Sequence, residues 1–204
     1  MKCVEHGHTD EVYQTSQACL AARILIRLSV MSDETNDGSE TGDGSDVEQK
    51  VIQVLDGLGV PYEVVEIDPA YADTAQFCER YGFTMDQSGN TIIVASKKEP
   101  KQYAACVVKA TRRLDVNHAV RKLMGVPRLS FATSEETRAL TGMMIGGVTI
   151  FALPAELPIY VDDTLLECEA VILGGGSRSK KIKVAPKVFS RLPGASIVPG
   201  LSSG

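Results

Sequence analysis

The chain has 204 residues, of which 44% are hydrophobic, 23% charged and only 5% aromatic, with no Trp. That length suits one domain with a full core and is short for two, and the scarcity of aromatics argues against a binding surface built on a row of stacked rings. The net charge of −5 is unevenly placed: residues 32–48 hold seven acids and no base, while 18 bases face 16 acids from residue 49 onward. The near-neutral remainder neither points to a nucleic-acid partner nor excludes one.

The segment from Ala18 to Met31 is apolar but is interrupted by Arg23 and Arg27. With no run of about 20 apolar residues anywhere, no membrane partner is expected. Glu5, Asp10 and Glu11 are wrong for a transit peptide. Residues 32–45 contain no apolar side chain, so they cannot offset their ordering entropy, and residues 1–46 are expected as a poorly ordered tail. Met31 opens the polar stretch directly and is expected as the true or an alternative start. Cys3, His6 and His8 lack a clear fourth ligand, so no metal is expected there. The five cysteines are odd in number, widely spaced and free of C-x-x-C, which reads as reduced thiols in a cytoplasmic protein.

Regular structure is predicted from Asp46. Val47, Val51, Val54, Leu55 and Leu58 share one helical face, with Asp46 as N-cap and Gly59 as terminator. A strand follows over 62–67, then a short helix capped by Thr74 that carries Phe77 and Tyr81 and stops at Gly82. Strands over 91–95 and 103–108 flank the turn Lys97-Lys98-Glu99-Pro100 and predict a β-hairpin. Asp115 caps a helix with Val116, Ala119, Val120 and Leu123 inward, ended by Gly125. After a short strand over 128–131, Thr133-Ser134-Glu135-Glu136 forms a capping box for a helix to Leu140. Further strands are predicted over 148–151, 159–161, 170–173 and 182–184. Pro186 opens a last helix and Pro193 closes it, which leaves 193–204 as a C-terminal tail. Hairpins and helices mix without a βαβ rhythm, so the fold class expected is α+β, with a mixed, curved, barrel-like sheet flanked by short helices.

Two glycine clusters stand out. The first, Gly146-Gly147, lies between apolar and β-branched residues in Met144-Ile145-Gly146-Gly147-Val148-Thr149. Glycine lets a ligand approach the main chain closely, so backbone amides are the expected recognition groups there. The second, Gly174-Gly175-Gly176, precedes Arg178, Lys180 and Lys181. From the residues alone a tight turn between Met144 and Val148 explains the first cluster better than a ligand loop does, and a solvated edge explains the cations equally well.

The order of these features resembles the YbaK/ProX aminoacyl-tRNA deacylase family, whose domain also serves as the editing module of prolyl-tRNA synthetases. The matching features are Thr91-Ile92-Ile93-Val94, Gly142 with Gly146-Gly147-Val148-Thr149, Ile159-Tyr160-Val161-Asp162, Leu173-Gly174-Gly175-Gly176 and the end Lys181 to Pro186. The resemblance covers residues 47–192. It implies a YbaK-like fold and a trans-acting deacylase that hydrolyses the ester of a mischarged tRNA, with glycine-loop amides holding the aminoacyl carbonyl and no cofactor. By that resemblance Gly146, Gly147 and Asn90 are the catalytic candidates. Thr91, Val148, Thr149, Gly174, Gly175, Gly176, Arg178 and Lys181 are the substrate-binding candidates. The implied partners are the aminoacyl-tRNA acceptor end and a synthetase, and not DNA. Three departures accompany it: the family's lysine before the Thr-led strand is Asn90, the proline after Gly-Gly-Val-Thr is Ile150, and the Ser and Asp of the later glycine turn are Gly174 and Lys181. A non-catalytic aminoacyl-nucleotide or tRNA-binding module is the alternative.

Overall fold

The structure, a computed structural model, describes residues 45–204. The acidic segment up to 44, the Cys3/His6/His8 group and both start positions lie outside the described residues. Helix α1 (Ser45–Leu58) places Val51 and Leu55 in the core and carries Asp46 and Glu48 in its first turn, where the helix dipole favours acids. It stops at Gly59, whose φ of 59° is left-handed. Strand β1 (Tyr62–Glu66) leads to α2 (Thr74–Tyr81), which has Asp73 as its N-cap residue, one position before the expected Thr74.

The predicted hairpin forms as β2 (Gly89–Ser96) and β3 (Tyr103–Lys109), antiparallel with Thr91 opposite Val107. Strand β4 (Arg113–Leu114) precedes a single π turn over Val116–Val120 and α3 (Arg121–Met124). The Asp115 side chain accepts from the His118 N–H and so caps this pair. Strand β5 (Leu129–Phe131) feeds α4 (Ser134–Thr141), and both halves of the Thr133/Glu136 capping box are present. Strand β6 (Ile159–Asp162), β7 (Val171–Gly174), β8 (Lys180–Val184) and α5 (Val188–Arg191) follow.

The residues over 148–151 are not a strand. Val148, Thr149, Ile150 and Phe151 are all buried, and the Thr149 N–H donates to the Met143 Sδ rather than to a ladder. Their β-branched composition reflects burial on every side, not sheet pairing. The reverse holds at the C-terminus. Residues 193–204 contain β9 (Ala195–Val198), parallel to β6, and β10 (Ser202–Ser203), paired with β4. Leu201 between them is fully buried. A half-exposed strand of four residues between Pro-Gly pairs carries no alternation to detect.

The strands make a mixed five-stranded sheet in the order β5-β2-β3-β6-β9 and a three-stranded sheet β1-β8-β7. A bridge between Ser88 and Ile172 joins them. The assembly is open and does not close into a barrel. The main core lies where α1, β3, β6–β8 and the irregular 148–151 chain meet. A second cluster packs under α3, and a third gathers Ile67, Ala72, Phe77, Cys78 and Ile172 around α2. Both Cys78 and Cys106 are buried in these cores, and burial pushes the Cys106 thiol up to about 12. Among the described residues no helix is long and apolar enough to cross a membrane.

Candidate functional site

Two turns that are far apart in sequence pack against each other. The 143–148 bend leaves α4 after Gly142, and the β7–β8 turn spans 175–179. A Cβ on Gly147 would stand 2.5 Å from the Ser177 carbonyl, and a Cβ on Gly174 would stand 2.2 Å from the Val148 carbonyl oxygen. Both distances lie inside van der Waals contact with backbone, so the glycines are required by this close approach.

Three successive carbonyls of the bend are tied to the β7–β8 side. Ile145 C=O accepts from Arg178 Nη1 at 2.8 Å, Gly146 C=O from Lys181 Nζ at 3.0 Å, and Gly147 C=O from the Gly176 N–H at 2.9 Å. In a trans peptide the N–H points opposite to the C=O. Holding the Ile145 and Gly147 carbonyls therefore turns the Gly146 and Val148 N–H groups away from the β7–β8 turn. Among the described residues neither N–H donates to a protein acceptor. The Gly147 N–H differs, because it donates to Met144 C=O at 2.9 Å. The open pair of amides is thus Gly146 and Val148, not the expected Gly146 and Gly147.

Gly146 and Val148 both line a cavity of about 310 Å³. Its polar side comes from Asp73 and Thr74 at the start of α2, Asn90 and Thr91 on β2, and Lys181 on β8. Its apolar side comes from Ile92, Ile93, Val148, Ile145 and Phe131. Of the residues expected at the site, the structure brings Asn90, Thr91, Gly146, Val148, Gly174 and Lys181 to the wall. Gly147, Thr149, Gly175, Gly176 and Arg178 stand outside it. Thr149 is fully buried behind the bend, Gly175 closes against Lys180, and Gly176 packs on Val47 and Val51 of α1. Arg178 braces the bend: its second nitrogen donates to Pro69 C=O at 2.9 Å, so it staples the glycine bend to the segment before α2.

Lys181 is 6% exposed, and its Nζ donates to Ala72 C=O at 2.8 Å as well as to Gly146 C=O. It also lies 5.4 Å from the centre of the Phe77 ring. Burial pulls its ammonium down from 10.5 to about 8; Asp73 and Cys78 oppose the fall and Arg178 adds to it. An ammonium has three N–H donors, so one remains for a ligand. Lys180 points the other way and pairs with Glu48 of α1 at 2.7 Å. Asn90 Oδ1 accepts from the Thr74 hydroxyl at 2.7 Å, which leaves its amide N–H₂ as the group to offer. Thr91 lines the wall as a residue, and its hydroxyl is buried without a partner among the described residues.

Sequence reasoning missed Asp73, Thr74, Ile145 and Phe131. The Asp73 side chain makes no cap hydrogen bond despite its N-cap position, and no sequence signal separates it from an ordinary cap. Ile145 and Phe131 are more than half exposed; an apolar residue beside Gly-Gly was the one available hint. The Asp162 side chain accepts from the Thr164 N–H, as a cap does, and the Ser177 hydroxyl accepts from the Ser179 N–H.

A family model described as the aminoacyl-tRNA editing domain matches residues 68–192, more than half of the chain. The chain belongs to this family. As an editing domain it is 28% identical to a crystal structure described as a candidate trans-editing enzyme for prolyl tRNA synthetase, with a TM-score of 0.66 over 78% of this chain and 98% of that one. A hypothetical protein, APE2540, is 25% identical with a TM-score of 0.68, over 76% of this chain and 99% of that one. The YwhH protein of Bacillus subtilis (strain 168), itself uncharacterized, is 26% identical over 63% of this chain and 79% of its own length. The editing domain thus has a YbaK-like mixed sheet, and its family match includes α2, β2, the bend, Lys181 and the cavity between them.

Proposed function

We propose that this editing domain is a trans-acting deacylase that hydrolyses the ester linking a mischarged amino acid to the terminal ribose of tRNA. The observation that carries this reading is the pair of acceptor-free amides, Gly146 and Val148, on a bend whose carbonyls are held from behind beside a cavity. Such donors need no reorganisation when a carbonyl becomes an oxyanion, and removing one oxyanion-hole donor typically costs about 10²–10³ in rate. An aminoacyl ester is already activated, so orientation and oxyanion stabilisation supply most of the acceleration.

The polar wall has a role in the same scheme. The third N–H of the Lys181 ammonium reaches the ester or a ribose hydroxyl, and the Asn90 amide N–H₂ and Thr91 hydroxyl hold the sugar. Lys181 supplies a cation to a wall whose β2 position is the neutral Asn90. Gly174 lets the two turns close. The scheme requires no metal or cofactor.

The test is deacylation of tRNAs mischarged with Ala, Pro, Cys or Ser. Turnover above the uncatalysed rate on at least one, lost when Lys181 is replaced by Met, supports the reading. Binding of these tRNAs without turnover refutes the enzyme and assigns the cavity to a non-catalytic binding module. Complex formation with a synthetase, followed by size-exclusion chromatography, tests the protein partner.

A further inference from the structure

Phe131 is 59% exposed and Ile145 is 54% exposed, and both line the cavity. Neither is packed into any of the three core clusters. Among the described residues the aromatic stacking pairs centre on Phe77, so no other ring covers Phe131. An uncovered aromatic on a floppy loop would mean little, but Phe131 is on a rigid frame. It pairs with Val94 in the β2–β5 ladder, the following Ala132 N–H donates to Ile93 C=O at 2.9 Å, and the capping box begins at Thr133. Ile145 is equally fixed, because its carbonyl is the one held by Arg178. The next residue is Gly146, whose open amide serves the carbonyl site.

A cavity of about 310 Å³ is at the small end of ligand pockets, which run roughly 300–1,000 Å³. It accommodates the acyl and ester part of an acylated nucleoside and leaves the flat base at the rim, where the two exposed apolar residues stand. Resting on the deacylase reading above, we infer that Phe131 is the platform on which the terminal nucleobase of the tRNA stacks, with Ile145 as the wall beside it. Base–aromatic stacking needs only a π face. One rigid ring is therefore enough to set the position of the attached ribose and ester against Gly146 and Val148, and a chain poor in aromatics suffices for it.

The experiment uses tRNA carrying 2-aminopurine in place of its terminal adenine, with the wild type and the Phe131→Ala, Phe131→Leu and Phe131→Tyr variants. Wild type and Phe131→Tyr should quench the 2-aminopurine on binding. The Ala and Leu variants should lose the quench and bind about 5- to 150-fold more weakly. Because Phe131 is exposed, all four proteins should share one melting temperature, and each is checked by circular dichroism. Equal quenching and affinity in Phe131→Ala overturn the stacking platform. Wild-type behaviour of Phe131→Leu overturns it too, since apolar area would then suffice. Failure of the wild type to deacylate any charged tRNA is a separate result that overturns the deacylase reading, and the quench still reports the base contact.

Discussion

Replacing Lys181 by Met tests the buried cation on which the site depends. In the folded protein the ammonium titrates at about 8 instead of 10.5, chiefly because it is buried. Between these two values the unfolded chain binds more protons than the folded one, so stability must rise with pH. The sign is opposite to that of a lysine held by a salt bridge, whose contribution would be lost on the way up. The 10.5-to-8 shift corresponds to about 3 kcal/mol gained by the wild type across that window. Below pH 8 the cost of burying the charge is fully present. The Met variant has no proton to exchange at this position. Urea unfolding of both proteins at pH 7, 8, 9 and 10 isolates the effect, because the remaining lysines and tyrosines cancel in the difference. The stability difference, wild type minus variant, should climb by most of that 3 kcal/mol between pH 8 and 10. A difference that stays flat within about 0.5 kcal/mol would refute the burial argument, being the ordinary scatter between independent sites.

The same titration predicts activity in the opposite sense. If the ammonium contacts the ester, enzyme-specific kcat/KM falls as pH rises through about 8, and the falling limb disappears in Lys181→Arg, whose charge persists. Arg178→Met frees the Ile145 and Pro69 carbonyls and lets the bend drift. It should lower kcat about 10- to 100-fold while the melting temperature shifts little, measured by single-turnover deacylation and calorimetry. Gly147→Ala and Gly174→Ala force a Cβ into backbone and should each destabilise the domain by about 1–3 kcal/mol in urea unfolding. Gly57→Ala, in α1 with nothing within 4 Å of the new methyl, should instead stabilise it by about 0.5–1 kcal/mol.

Much of the architecture was legible because it is written locally. Capping residues, glycine stops and the turn of the β2–β3 hairpin depend on neighbours within a few positions, so Asp115, Thr133 with Glu136, and Gly82 mark their elements directly in the chain. The glycine clusters announced themselves by composition. What they do was not legible, since a glycine required by the backbone of Ser177 looks the same in sequence as one exposed to a ligand. A local turn takes the Gly147 N–H to Met144, but only long-range packing, through Arg178 and the Gly176 N–H, turned the Gly146 and Val148 N–H groups away from the β7–β8 turn. The same packing selected Lys181 among the neighbouring cations. Strand alternation sends Lys180 toward Glu48 on α1 and Lys181 inward to Ala72 and Gly146. Phe131 became a cavity residue only when β5 met the bend. Local interactions specify the elements; the direction of a donor or a charge depends on which distant carbonyl comes to face it, and that is determined only when the chain folds.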